Sequence, residues 1–251
     1  MATLHSFYLP PEEWKTPFTL TGAEAHHLSR VLRIKAGADV RLFDGMGRQG
    51  LFRVEAASKS SASLVLLSEE YISAPTVRCT LAAGFSKALR RGWFMEKAVE
   101  LEASSLWFWQ GDYSQASLPE QEKDSWKSSL VAGAKQCENP WLPELSMLHG
   151  GIGALAARVG EFDRSFLLYE GDTQGRLLKQ EDLDVPGTLL LVVGPEGGFS
   201  PREVTALIGA GAQAVSLGSR ILRWETAAVL TLGMAWWARQ ERENRTEGAR
   251  L

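Results

Sequence analysis

Cysteine is nearly absent from this chain: Cys79 and Cys137 are the two in 251 residues. Two cysteines make no disulfide framework, and they fit no metal-ligand spacing, so a stapled secreted scaffold and a zinc ribbon are both excluded. The amino terminus also lacks a basic-then-apolar signal, which points to a reducing, cytoplasmic protein. No uninterrupted run of about eighteen apolar residues occurs, so no membrane span is expected. The nearest contender, Thr226 to Ala238, ends in the charged stretch Arg239 to Arg245 and reads as a packed helix with a frayed polar tail. Histidine is scarce as well. His5, His26, His27 and His149 contain no i, i+4 pair around a glutamate, which argues against a helix-borne zinc site. No Gly-x-Ser-x-Gly elbow is present, and no glycine-rich loop ends in Gly-Lys-Ser or Gly-Lys-Thr, so an esterase-type nucleophile and a P-loop are absent.

Excess positive charge is missing too. The formal net charge is -3 and the pI is near 5.9, which excludes a generally basic nucleic-acid-coating protein. RNA or DNA contact must then rest on local patches, and two exist. From His26 to Arg53, the six cations Arg30, Arg33, Lys35, Arg41, Arg48 and Arg53 face two anions, Asp39 and Asp44, for a local +4. Between Arg78 and Lys97, the five cations Arg78, Lys87, Arg90, Arg91 and Lys97 face Glu96 alone, again +4. Each run also fits a plain solvated face.

A break near Ser73-Ala74-Pro75 divides the chain. Before it, Asp39 to Phe43, Gly50 to Val54 and Ala62 to Leu67 are short strand-like runs, and Asp44-Gly45 is a hairpin signal. One helix is expected there, over residues 22–32, in a small and mostly antiparallel β domain. After Pro75 the pattern alternates. Strands are expected at Cys79 to Ala83, Ser105 to Trp109, Glu144 to Leu148 and Ser165 to Tyr169, with helices at Arg91 to Glu102, Gln121 to Cys137 and Gly153 to Gly160 between them. Such alternation implies a mainly parallel sheet covered on both faces. The domain boundaries expected are therefore 1–73 and 74–251.

The densest information lies between Thr188 and Glu225. Thr188 to Val193 is a nearly continuous apolar run, as a strand buried on both faces requires. It ends in Gly194-Pro195-Glu196-Gly197-Gly198, where missing Cβ atoms permit positive φ and close approach of a ligand. Ser200-Pro201-Arg202-Glu203 then supplies an N-cap serine, a proline at the first helical position and a glutamate at the third, a capping box. Ala214 to Leu217 reads as the next strand, followed by a second special loop, Gly218-Ser-Arg-Ile-Leu-Arg-Trp-Glu225. Ligands of open α/β sheets sit at the carboxyl ends of strands, so both loops are expected to face one pocket.

Gly151-Ile-Gly153-Ala-Leu-Ala156 competes with that reading, because it fits a dinucleotide fingerprint after a strand and has Glu170 near the ribose-binding position. An NAD-dependent oxidoreductase is the alternative it raises. The fingerprint normally follows the first strand of its domain, whereas this match lies midway through the alternation, so a glycine-containing helix start is the preferred reading.

The two late loops, in this order and close to the carboxyl terminus, resemble the RsmE branch of the SPOUT methyltransferases. His26-His-Leu-Ser-Arg-Val-Leu-Arg33 with Gly37 and Phe43-Asp-Gly-Met-Gly47 is similar to that family's PUA-like amino-terminal domain. Lys97 to Leu101, Ala134 to Cys137 and Pro143 occupy the places of its middle motifs. Glu102 departs from the pattern, standing where a glycine usually follows, and Asn139 stands where an arginine does.

The resemblance implies an α/β fold, a trefoil-knotted, mainly parallel sheet domain with an amino-terminal PUA-like β-barrel domain. It implies S-adenosylmethionine as donor and N3 of a single uridine, by analogy uridine 1498, of 16S ribosomal RNA in the small subunit as acceptor. A homodimer is also implied, since relatives use the carboxyl-terminal helix to complete the site from both chains. The donor-binding residues expected are Leu168, Tyr169, Glu170, Val193, Gly194, Pro195, Glu196, Gly197, Gly198, Leu217, Gly218, Ile221, Leu222, Arg223, Glu225 and Thr226. Arg223 and Glu225 are also the catalytic candidates, and the bland alternative is that they only pair with each other. Arg30, Arg33, Lys35, Arg41, Lys87, Arg90 and Arg91 are expected to meet RNA. No metal is expected. A noncatalytic RNA-binding ribosome assembly factor is the rival reading from another class.

Overall fold

The computed structural model of the protein describes residues 4–86, 91–171 and 176–248. The chain forms two compact units: Met1–Ala74 with Val131–Leu142, and Pro75–Leu130 with Pro143–Leu251. The single division expected at residues 73/74 does not include the return of 131–142 to the first unit.

The first unit holds a five-stranded sheet of β1 (Ser6–Tyr8), β2 (Phe18–Thr21), β3 (Asp39–Phe43), β4 (Arg48–Ala57) and β5 (Ser61–Tyr71), in the order β1-β3-β4-β5-β2. β1 runs parallel to β3, and the other pairings are antiparallel. The period of two explains the packing: Val40 and Leu42 on β3 and Phe52 and Val54 on β4 point inward and are fully buried, while Arg53 between them is exposed. Phe7, Leu20 and Leu28 complete this core. The helix expected over 22–32 is a short α-helix, α1 (Gly22–His26), prolonged by a π-helical turn at His27–Val31. The hairpin at Asp44-Gly45 forms because the Asp44 carboxylate accepts from the backbone N–H of Met46 at 2.7 Å and of Arg48 at 3.1 Å.

The second unit is a six-stranded, all-parallel sheet. Its strands are β6 (Val77–Gly84), β7 (Ser105–Trp109), β8 (Glu144–Leu148), β9 (Arg164–Leu168), β10 (Gly187–Val193) and β11 (Gln213–Val215), in the order β11-β9-β10-β6-β7-β8. Helices α2 (Arg91–Glu100), α3 (Asp124–Cys137), whose residues from Val131 on belong to the first unit, α4 (Gly151–Arg158), α5 (Gln180–Leu183), α6 (Pro201–Gly209) and α7 (Trp224–Gly248) connect or follow them. β10 occupies an inner position, and its Leu189, Leu190, Leu191 and Val192 are at most 1% exposed, as an uninterrupted apolar run requires. α6 begins as the capping box demands: the Ser200 hydroxyl accepts from the N–H of Glu203, whose carboxylate accepts from the N–H of Ser200.

The frayed tail expected after Ala238 is not observed. α7 continues to Gly248, because Arg239 pairs with Glu102 and Arg245 with Asp184. No described helix is long and apolar enough to cross a membrane.

Candidate functional site

The carboxyl ends of β9 and β10, which are neighbours in the sheet, open into a cavity of about 820 Å³. Its walls come from three segments. Leu168 to Gly171 run on from the last residue of β9, the continuous run Val193 to Phe199 runs on from the last residue of β10, and Ile221 to Glu225 with Ala227 span the approach to α7 and its first turn. A smaller recess of about 30 Å³ adjoins Leu168, Tyr169 and Glu170 and is closed by Ser216, Leu217, Gly218, Arg220, Leu222 and Ala227. The two late loops thus do meet at one site, with the end of β9 as its third side.

Of the sixteen donor-binding residues expected, thirteen line the main cavity and Leu217 and Gly218 line the recess. Thr226 lines neither and points to solvent. Gly171, Phe199, Trp224 and Ala227 also line the main cavity, and Ser216 and Arg220 the recess, although the sequence reading did not single them out. The available signal was adjacency, since each flanks a residue of the same loops. Phe199 forms a wall rather than a spacer: its ring stacks on Trp109 at 5.9 Å and meets Tyr169 edge-on at 6.3 Å.

Backbone geometry explains the two glycines after Glu196. Gly198 has φ +75°, a left-handed conformation that glycine adopts without strain. At Gly197 the reason is space, because a Cβ there would lie 2.6 Å from the Cβ of Tyr113. A side chain at Gly197 therefore strikes the 110–114 loop, and its effect on the cavity is transmitted through that contact.

Electrostatically the site is uneven. Glu225, in the first turn of α7, is 9% exposed, whereas Arg223 is exposed and no ion pair joins the two. The bland reading, in which they serve only each other, is not what the structure shows. Arg91 lies with its guanidinium over Phe85 at 4.4 Å and Trp126 at 5.0 Å, and it donates to the Ser86 carbonyl. Burial depresses its pKa while the charge of Glu196 opposes that shift, so this cation lies within the field of a cavity-lining carboxylate.

In the first unit, Arg30, Arg33 and Lys35 are exposed, whereas Arg41 is paired with Glu138 at 2.8 Å. Lys87 and Arg90 lie outside the described residues. The Gly151 to Ala156 segment is the start of α4 and follows β8, the edge strand. It lines neither the cavity nor the recess, so the dinucleotide resemblance stays a feature of helix geometry. Among the described residues no cluster of three histidine, cysteine, aspartate or glutamate side chains could hold a metal ion.

A β unit followed by a parallel-sheet unit whose glycine loops enclose a cavity matches, in that order along the chain, the two domains of an RNA-modifying class of protein. Residues 73–236 match the RNA methyltransferase domain family and residues 20–67 the RNA methyltransferase PUA domain. The chain belongs to the ribosomal RNA small subunit methyltransferase E family of RNA methyltransferases. The Mycobacterium tuberculosis enzyme of that name is 31% identical over 221 residues, covering 84% of this chain and 83% of its own. The Bacillus subtilis enzyme is 27% identical over 226 residues, covering 86% and 88%. A crystal structure of the Neisseria gonorrhoeae enzyme bound to S-adenosyl methionine is similar, with a TM-score of 0.77, 26% identity and coverage of 92% of this chain and 96% of its own.

Proposed function

We propose that this chain transfers one methyl group from S-adenosylmethionine to N3 of a single uridine in 16S ribosomal RNA of the small ribosomal subunit. The observation that carries the reading is the cavity of about 820 Å³ assembled from the Gly194 to Gly198 loop, the end of β9 and the approach to α7. Its volume suits a cofactor-sized ligand. Backbone groups of Gly194, Gly197, Leu217 and Leu222 are suited to hydrogen-bond an adenine and a ribose, with Leu217, Ile221 and Leu222 against the apolar face of the base. Glu196 favours a sulfonium cation through its charge. When bound, the donor supplies a methyl group activated by positive sulfur.

Uridine N3 carries a proton at neutral pH, so the protein must orient the base and accept that proton. Glu225 is the assigned acceptor, since its carboxylate is sequestered at the cavity wall. Arg223 stabilises negative charge developing on a uracil oxygen. Arg30, Arg33 and Lys35 contact RNA phosphates, which position the substrate without reading its sequence. The active species is a homodimer in the cytoplasm.

Methylated N3 blocks the Watson-Crick edge. Small subunits from a strain lacking the enzyme, incubated with protein and donor, should acquire a reverse-transcriptase stop at one uridine. Mass spectrometry of the digested RNA should then give 3-methyluridine. A methyl group on carbon or ribose, or none at all, rejects the proposed reaction.

A further inference from the structure

The cavity loop is held from outside by a second loop that lines no part of the cavity. This second loop, residues 110–118, follows β7 and is organised by its own side chains. Gln110 donates to the Ala116 carbonyl at 3.2 Å and accepts from the N–H of Leu118 at 2.7 Å. The Ser114 hydroxyl accepts from the N–H of Gly111 at 2.9 Å. The loop therefore presents Asp112 and Tyr113 from a fixed frame.

Asp112 reaches the start of α6 through four hydrogen bonds. Its Oδ2 accepts from the Ser200 hydroxyl at 2.6 Å and from Arg202 Nε at 3.2 Å, and its Oδ1 accepts from Arg202 Nη2 at 2.5 Å. Its N–H donates to Glu203 Oε1 at 2.7 Å, while the other oxygen of Glu203 accepts from the N–H of Ser200. Glu203 is fully buried, so its two acceptor sites are committed to holding these two backbone groups together. Ser200 follows the cavity loop by two residues, and its hydroxyl donates to Asp112 while accepting from Glu203. Steric contacts close the same joint. A Cβ on Gly197 would meet Tyr113, a Cβ on Gly111 would lie 3.0 Å from Pro195 Cγ, and one on Gly84, at the end of β6, would lie 2.3 Å from Pro195 N.

We infer that Asp112 is a positioning residue for the donor site: it clamps the 110–118 loop to Ser200 and Arg202 and thereby fixes the Gly194 to Gly198 loop in its ligand-ready shape. The inference rests on the proposed reading of that cavity as the donor site. Asp112 lines neither the cavity nor the recess. Its bonds to Arg202 and Ser200 hold its carboxyl below the usual carboxylate range, so it is ionised and able to accept at both oxygens throughout the neutral range. An asparagine in its place keeps the shape but turns one acceptor into a donor, which opposes one of the Arg202 donors in either orientation of the amide.

The test combines two measurements on Asp112→Asn in the full-length protein. Hydrogen exchange in the ligand-free protein reads the loop directly. The amides of Gly197 and Gly198 should exchange faster than in the wild type, with no change in the amides of β3 and β4. Calorimetry with S-adenosylhomocysteine reads the consequence, and the dissociation constant should rise about tenfold, equivalent to roughly 1.4 kcal/mol. Steady-state rates should show a raised KM for the donor with kcat within about twofold of the wild type, a split that general destabilisation does not produce. Asp112→Glu, which keeps both acceptors, should recover part of the affinity. Unchanged exchange at Gly197 and Gly198, or an affinity within twofold of the wild type, overturns the clamp. If the wild-type protein binds no S-adenosylhomocysteine, the donor-site reading fails, and the exchange data still decide whether Asp112 holds the loop.

Discussion

Glu102 has φ +56°, a left-handed conformation that costs a residue with a side chain roughly 1–2 kcal/mol. A glycine would adopt that angle without strain, and this chain offsets the cost with the carboxylate. Glu102 accepts from the Trp236 indole at 3.3 Å and pairs with Arg239, which is 5% exposed. Cutting away one partner of a sequestered pair strands the other charge, at about 3–5 kcal/mol when fully buried. The cost is smaller here, because the Glu102 side chain is 31% exposed and Glu243 also lies 3.8 Å from Arg239. Glu102→Gly relieves the backbone but loses the pair, so a net destabilisation of about 1–2 kcal/mol is expected. Glu102→Ala keeps the backbone strain and loses the pair, and should be the less stable of the two variants. Urea midpoints measure the order, and a glycine variant more stable than the parent would show that the carboxylate contributes less than the backbone strain costs. Cys79 is simpler: burial pushes its thiol up to about 12, so it stays protonated at neutral pH.

At the scale of elements, legibility followed the range of the signal. β3, β7 and β8 have the limits read from their apolar runs, and α6 starts where its capping box places it, because the determinants lie within a few residues. β1 is three residues long and pairs with β3 more than thirty positions away, so no local pattern marks it. α7 shows the same limit in reverse. Its apolar first half was plain in the sequence, but the charged second half looked frayed because its partners, Glu102 and Asp184, are remote in the chain. Arg239, Arg242 and Arg245 recur every three residues, so they share a helix face. Arg242 and Arg245 both approach Asp184, and Arg242 donates to Thr76 at 2.7 Å. Partly exposed pairs contribute up to about 1 kcal/mol each, so ending the chain after Gln240 should lower stability by about 1–3 kcal/mol. A urea midpoint unaffected by that truncation would mean the tail makes no stabilising contact in solution.

For the whole molecule, the candidate cavity was legible because two of its walls are contiguous segments, whereas the loop that braces it was not, since Asp112 meets Ser200 only through the order of the sheet. The surface of α7 raises a further question of the same scale. Ala228, Leu232, Ala235 and Ala238 are at most 3% exposed and face the core, yet Leu230 and Trp237 on the same helix are 42% and 54% exposed. Residues seven apart lie on one stripe, so Leu230 and Trp237 form an apolar line separate from the buried one. Trp93 on α2, a helix packed against α7, is also 43% exposed. Large aromatic and aliphatic groups left open on a helix face are typical of a protein–protein contact. The proposed homodimer should then place this stripe at its interface, and light scattering should give twice the monomer mass of 27.6 kDa. Leu230→Glu with Trp237→Glu should lower that mass to the monomer value while leaving the circular dichroism spectrum unchanged, because neither side chain belongs to the core. A wild-type mass of 27.6 kDa across the micromolar range would remove the dimer from the proposed mechanism.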